Sequence, residues 1–335
     1  MINILLAFGI SFAITFIACL VLIKKPLVYS VPTNRGLHEK RIPTSGGLSL
    51  LLGFATALII LSGKFSGLLL ILIPMTIIGL ADDLYHISKG LRFVSQIGLS
   101  LLSLYLMNGL ILDITIILLI IFLMTYLINA YNFMDGIDSL LIIQTIFILV
   151  SLIFLLDIHQ IWNDTMMAMI GSMLAFLFFN FSPAKLFLGN SGSYFLGMFM
   201  SILILSLYFM SSINIIPVLI ICTIIIVDTI YVLIRRFITK FYSYLLDNRS
   251  LGYSLMNSTK LITEAHCTHN YQKLAKKYVD HFKVVIILMI FNITWCLPLA
   301  KLSVVYNDIG ALFLLVSYTP YIIWCYLNKA GLDEK

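Results

Sequence analysis

Eleven apolar runs leave this 335-residue chain few folds to choose from. They lie near 2–23, 46–62, 66–81, 93–108, 111–129, 139–156, 164–181, 194–211, 215–234, 283–301 and 309–327. A helix of about 17–25 apolar residues is long enough to cross a bilayer. Backbone placed in hydrocarbon must satisfy its own hydrogen bonds, which selects helices or closed barrels. The sequence is 61% hydrophobic and 11% charged, far more apolar than a soluble core requires. The expected fold is all-α: a polytopic integral membrane bundle of about 11 transmembrane helices. The runs 66–81 and 93–108 are short for a full span and need local thinning or longer true ends.

Lysine and arginine set the orientation. If Lys24 and Lys25 are cytoplasmic, the N-terminus is outside and the C-terminus inside. Every one of the 21 lysines and arginines then falls inside except Lys64 and Lys301. A wrong span count would scramble that asymmetry. The excess charge of +6 is therefore membrane-surface charge with capacity for phosphate, and no nucleic-acid module is visible. The first run lacks a basic segment before it and is followed by Lys24-Lys25, as in a retained helix rather than a cleaved signal peptide. The five cysteines are scattered, with neither disulfide-framework nor zinc-site spacing. Zinc needs more ligands than the His266-Cys267-Thr268-His269 string supplies. The chain reads as a single transmembrane domain with long inner loops near 24–46, 82–93, 129–139, 181–194 and 235–283, and any chemistry faces the cytoplasm at the plasma (inner) membrane.

The few acids carry the functional signal. Carboxylates at a membrane boundary are costly, yet Asp82-Asp83 and Asp135/Asp138 sit at segment ends on the same side. One such acid merely ends a helix in headgroup water; two clusters on one side read as a site for a cation and the phosphates it bridges. Asp82 and Asp83 lie at a helix C-terminus, where the dipole disfavours anions. In NAYNFMDGIDSL, Asn129, Asn132, Asp135 and Asp138 recur every three residues, so a helical turn lines them on one face. Gly136 permits a break there, and this loop has no lysine or arginine. In NFSPAKLFLGNSGSYFLG, the turn Gly189–Ser193 offers backbone N–H groups for a phosphate at the next helix start. Phe187 offers a flat surface for a base.

Further on, Asp228 precedes Arg235 by about two helical turns and is expected to face a partner or a wet cavity. Arg235 and Arg236 suit phosphate or anchor the helix at the interface. His266 and His269 share a face if the segment is helical. Arg35 and His38 are polar donors in the first inner loop.

Taken in order, ADD, NAYNFMDGID, NFSPAKLFLGNSGSYFLG, VDT with RR, and the late histidines resemble the polyprenyl-phosphate N-acetylhexosamine-1-phosphate transferases, the glycosyltransferase family 4 type. The resemblance runs from about Arg35 to His269. It implies attack of a polyprenyl phosphate, such as undecaprenyl phosphate, on the β-phosphorus of a UDP-N-acetylhexosamine. The products are a polyprenyl-diphospho-sugar and UMP, in the first membrane step of cell-envelope polysaccharide synthesis. The implied cofactor is Mg²⁺, with Mn²⁺ as a substitute, and the family also allows a homodimer. By the same resemblance Asp82 and Asp83 orient or deprotonate the lipid phosphate. Asn132, Asp135 and Asp138 contact the nucleotide and hold the metal region. Phe187 stacks on uracil, His266 and His269 touch the diphosphate, and Arg35 and His38 match the family's Arg-x-x-His. Asp82, Asp83, Asp138, His266 and His269 are thus the expected catalytic residues, and Asn132, Asp135, Phe187, Arg35, His38 and Arg235 the expected binding residues.

The chain departs from the pattern at the site. The family's Gly-Asp-x-Gly-Ser turn, whose Asp is an expected Mg²⁺ ligand, here has Asn190, a neutral and weaker ligand beside Asp135. The family's His-x-His-His has Thr268 in its third position. Two other readings therefore stand: an impaired relative that binds lipid phosphate or nucleotide, and a transporter or flippase, since membrane acids also fit transporters.

Overall fold

The computed structural model describes residues 2–30, 41–61, 66–156, 158, 160–211, 214–262 and 266–333. The described residues form two compact units, one up to residue 215 and the other from residue 216 onward. In the first, α1 (Ile2–Lys24) leads through a short antiparallel ribbon, β1 (Val28–Ser30) and β2 (Ile42–Thr44), to α2 (Gly46–Leu61). There follow α3 (Ser66–Tyr85), α4 (Lys89–Leu106), α5 (Ile114–Met134), α6 (Leu140–Leu155), α7 (Gln160–Asn180) and α8 (Gly189–Ser211). The second unit holds α9 (Ile215–Ile221, from the unit boundary), α10 (Thr223–Leu246), α11 (Leu251–Ile262), α12 (Asn270–Tyr278), α13 (His281–Phe291), α14 (Leu297–Val305) and α15 (Gly310–Leu327). A π-helical turn, Asn292–Cys296, joins α13 to α14.

Among the described residues, seven helical segments are long and apolar enough to cross a membrane. An eighth is the pair α9–α10, bent by 75°, and α2 and α6 are shorter apolar helices. The protein is a multi-pass membrane protein of the all-α class. The run 66–81 extends by one turn, so Asp82 and Asp83 belong to α3 rather than to a loop after it. The stretch 235–283, expected as a loop, is largely the end of α10 with α11 and α12.

α8 is the axis of the first unit. It packs against α2, α3 and α5, and most of its side chains are buried, including Tyr194, Phe195, Phe199 and Leu203. Such a helix needs small residues where backbones touch. Gly47 of α2 meets Gly192 so closely that an added Cβ would overlap the Gly192 backbone. A Cβ on Gly79 of α3 would stand 2.6 Å from Ser191 Cα. These two glycines let the ends of α2 and α3 close on the first turn of α8, where the acids gather.

Candidate active site

Asp83 explains why acids stand at the unfavourable end of α3. Its Oδ1 accepts the backbone N–H of Asn190 at 3.0 Å and its Oδ2 that of Ser191 at 3.2 Å. These are orphan donors of the first turn of α8, so the carboxylate sits on the positive end of a second helix. Gly189 enters that turn at φ +73°, and a Cβ there would lie 2.7 Å from Asp83 Oδ2. The phosphate cradle expected of Gly189–Ser193 falls on the first turn of α8, where two of its N–H groups are already engaged. These residues are helical, and Asp83 takes the N–H groups of Asn190 and Ser191.

Asp82 is buried, and its Oδ2 accepts three donors: Arg92 Nη1 at 2.9 Å, Tyr194 Oη at 3.0 Å and Asn190 Nδ2 at 3.1 Å. Arg92 also donates to Tyr194 Oη at 3.3 Å. From sequence, Arg92 reads only as membrane-surface charge and Tyr194 has no expected role. Tyr194 carries one local signal, its place four residues after Asn190 on the same helix face.

α5 delivers the asparagines and α5's end the other acids. Asn129 donates to Gln96 Oε1 of α4 at 2.7 Å, and Asn132 Oδ1 accepts Ser193 Oγ of α8 at 2.9 Å. The helix stops at Asp135, its C-cap, so the expected break falls at Gly136. Asp138 Oδ2 accepts the Ala184 N–H at 3.3 Å, while Asn180 Oδ1 accepts the neighbouring Ser139 N–H at 3.0 Å. Burial pushes the Asp135 carboxyl well above its usual range, and the nearby charges of Asp83 and Asp138 push it further. Phe187, half-buried, is tied by its backbone to the first loop: its N–H donates to Pro43 O at 2.8 Å and its carbonyl accepts Gly46 N–H at 2.9 Å. Arg35 and His38 lie outside the described residues.

The second unit has its own buried acid. Asp228 is fully buried and accepts four donors. Oδ1 takes His269 Nδ1 and the Asn270 N–H, each at 3.0 Å. Oδ2 takes the Tyr271 N–H at 3.2 Å and Tyr321 Oη at 3.0 Å. The two histidines do not share a helix face. His266 lies in irregular chain and His269 is the N-cap of α12, with their rings stacked 4.9 Å apart. His269 is 2% exposed; His266 is half-buried and shares a 3.0 Å hydrogen bond between its Nδ1 and Thr268 Oγ1. Burial, helped by His269 and Arg236, lowers the His266 imidazole to about 3. Arg235 is engaged at the end of α15: Nη1 donates to Ala330 O at 3.2 Å and Tyr231 Oη at 3.0 Å, and its guanidinium stands over the Tyr231 and Tyr326 rings.

Among the described residues, no three His, Cys, Asp or Glu side chains converge into a metal cage. Mg²⁺, however, commonly uses one or two carboxylates and completes its shell with water and substrate phosphates. A half-buried Asp135 crowded by two further acids fits such a site, since a cation there relieves their repulsion.

The family model for glycosyl transferase family 4 matches residues 65–208, the segment that carries the acids of the first unit. A Bacillus subtilis (strain 168) protein named as an undecaprenyl-phosphate N-acetylglucosaminyl 1-phosphate transferase is 29% identical over 232 residues, 62% of this chain and 64% of its own. An undecaprenyl-phosphate alpha-N-acetylglucosaminyl 1-phosphate transferase of Thermotoga maritima is 30% identical, covering 57% of this chain and 61% of its own. The chain spans a little under two thirds of the length of these two relatives. A Saccharolobus solfataricus protein named for UDP-N-acetylglucosamine–dolichyl-phosphate N-acetylglucosaminephosphotransferase activity is 30% identical over 226 residues, 58% of this chain and 68% of its own. With the ordered acids of α3 and α5 folded against the start of α8, these matches show that the chain belongs to glycosyl transferase family 4.

Proposed function

We propose that the protein transfers an N-acetylhexosamine-1-phosphate from a UDP-sugar to a polyprenyl phosphate. The observation that carries this reading is that Asp82 and Asp83 bond the first turn of α8 while Asp135 feels the charges of Asp83 and Asp138. An oxygen of the lipid phosphate bonds to the β-phosphorus of the UDP-sugar. The bond from that phosphorus to the bridging oxygen breaks, and UMP leaves with the oxygen and its electron pair. Two anionic reactants must be brought together, so the protein's task is positioning and charge neutralisation.

Mg²⁺ would be held by Asp135, with Asn190 Oδ1 as the atom left after its amide donates to Asp82; when bound, it neutralises the diphosphate. Asp83 fixes the α8 turn, and Asp82 holds the Arg92 guanidinium beside it. Asn132, Asp138 and Phe187 frame the nucleotide; in the second unit, His266 offers a neutral imidazole for a phosphate. The lysine and arginine distribution supports eleven spans with the N-terminus outside and the site facing the cytoplasm. The expected role is the first membrane step of cell-envelope polysaccharide synthesis.

The test is UMP release by the purified protein given undecaprenyl phosphate, Mg²⁺ and UDP-GlcNAc or UDP-GalNAc. Asp82→Asn should lower release by about 100-fold or more. Release that survives this substitution unchanged would remove the acid cluster from the reaction. The impaired-relative reading keeps one observation in its favour: Asn190 is bound to Asp82 as a donor. Under that reading UMP release is absent from the parent and gained by Asn190→Asp.

A further inference from the structure

We infer that Asp228 and His269 are positioning residues that seat His266. His269 is thus reassigned from the diphosphate contact that the resemblance implies. The inference rests on the transferase reading for its consequence, and on the geometry of the second unit for its basis.

The histidine segment is bolted down from three sides. Asp228, on α10, accepts the N–H groups of Asn270 and Tyr271, the first two orphan donors of α12, which makes it an external cap for that helix. The His269 N–H donates to Gln272 Oε1 at 3.2 Å. From α15, Tyr321 Oη reaches Asp228, and from the turn after it Asn328 Nδ2 reaches Asn270 Oδ1 at 2.8 Å. From the C-terminal tail, the Gly331 N–H donates to Thr268 O at 2.8 Å. A residue held by its ring and its backbone inside such a network is spent on structure. His269 is 2% exposed, whereas His266, stacked on it at 4.9 Å, retains exposed surface.

The hydrogen bond that matters is the one between His269 Nδ1 and Asp228 Oδ1. It anchors the chain at position 269, from which Thr268 leads back to His266. Thr268 Oγ1 on His266 Nδ1 fixes the second ring about its own axis. The arrangement acts in sequence: Asp228 anchors position 269, and the backbone held there, with the Thr268 hydroxyl, seats His266.

Asparagine at 269 separates the two roles. Its Nδ2 stands where imidazole Nδ1 stands, so it can still donate to Asp228, and asparagine is a good N-cap; it has no counterpart of Nε2. The experiment compares the full-length parent, Asp228→Asn, His269→Ala, His269→Asn and the Asp228→Asn/His269→Ala double variant. UMP release is followed with undecaprenyl phosphate, Mg²⁺ and UDP-GlcNAc. Asp228→Asn and His269→Ala should each lower kcat by about 100-fold, the cost of roughly 1 Å of misplacement. KM for the UDP-sugar should stay within about threefold, and the double variant should be no slower than the worse single. His269→Asn should keep kcat within about threefold of the parent.

Equal loss in His269→Asn and His269→Ala overturns the reassignment, because the imidazole itself is then needed. Parent-like kcat in Asp228→Asn overturns the positioning role of the acid. Amide hydrogen exchange over residues 266–275 supplies a readout independent of turnover. Exchange should rise in Asp228→Asn and His269→Ala and stay at the parent level in His269→Asn. A parent that releases no UMP defeats the transferase reading alone; unchanged exchange in Asp228→Asn defeats the anchor.

Discussion

The side-chain amide of Asn190 donates to Oδ2 of Asp82 over 3.1 Å. Where the family pattern has a carboxylate, this chain has a donor that quiets the neighbouring acid. Asn190→Asp replaces that bond with like charges and should cost about 1–3 kcal/mol in the absence of divalent cations. MgCl₂ should then raise the melting temperature of the variant more than that of the parent. Thermal melts of detergent-solubilised protein with Mg²⁺ and with EDTA decide it. Equal responses would mean that position 190 takes no part in cation binding.

Arg92 is the cation on Asp82, whose side chain is only 4% exposed. Arg92→Met leaves that acid with Tyr194 and Asn190 as donors. The loss should be about 2–3 kcal/mol, below the full cost of stranding a buried charge because two donors remain. Tyr194→Phe removes one hydrogen bond and should cost about 1 kcal/mol. Denaturation titrations in mixed micelles should rank the two in that order. The reverse order would show that the guanidinium does not carry the interaction.

Two glycines make a paired test of packing. Gly47→Ala drives a methyl into the Gly192 backbone, which has no side chain to swing aside; overpacking of this kind costs about 1–3 kcal/mol. Because the displaced turn carries Asn190 and Ser191, UMP release should fall with stability. Gly98 of α4 has nothing within 4 Å of its added Cβ. Gly98→Ala should therefore stabilise by about 0.5–1 kcal/mol through helix propensity. Melting temperatures that move together would contradict the close approach of α2 and α8.

His266 gives a pH signature. Its imidazole is lowered to about 3 by burial, then by His269 and Arg236. Between about pH 6.5 and 3 the unfolded chain therefore binds a proton that the folded chain refuses, so stability falls as pH drops through that window. Asp135 works in the opposite sense, because its raised carboxyl gains stability on acidification. The difference between parent and His266→Gln isolates the histidine. The variant should lose less melting temperature than the parent from pH 7 to pH 5. Identical slopes would mean that His266 is open to solvent.

What could be read from sequence was local. The three-residue repeat of Asn129, Asn132 and Asp135, with a glycine after it, marks a helix face and its end, and α5 stops there. Asp82-Asp83 at the foot of an apolar run marks an acid held against a helix dipole. That α8 supplies the compensating positive end could not be read, because Asp83 meets Ser191 across 108 residues. The pairings of Arg92 with Tyr194 and of Asp228 with Tyr321 join helices 102 and 93 residues apart, and no periodicity reports such contacts. The histidine spacing suggested a shared helix face; capping chemistry placed His269 at a helix start instead.

The 75° bend between α9 and α10 also governs the order in which the protein can be built. α9 has seven residues, a rise of about 10 Å, too short to cross a bilayer alone. It must enter the membrane as one hydrophobic stretch with α10, and the corner can close only once its loosened carbonyls find donors. Thr223 Oγ1 caps Ile220 O at 2.6 Å at once, from the same segment. Leu219 O waits for Tyr318 Oη, 99 residues later in the chain. The corner is therefore capped from two sources, by Thr223 within its own segment and by Tyr318 of α15, and a chain lacking α15 would leave Leu219 O to find another donor.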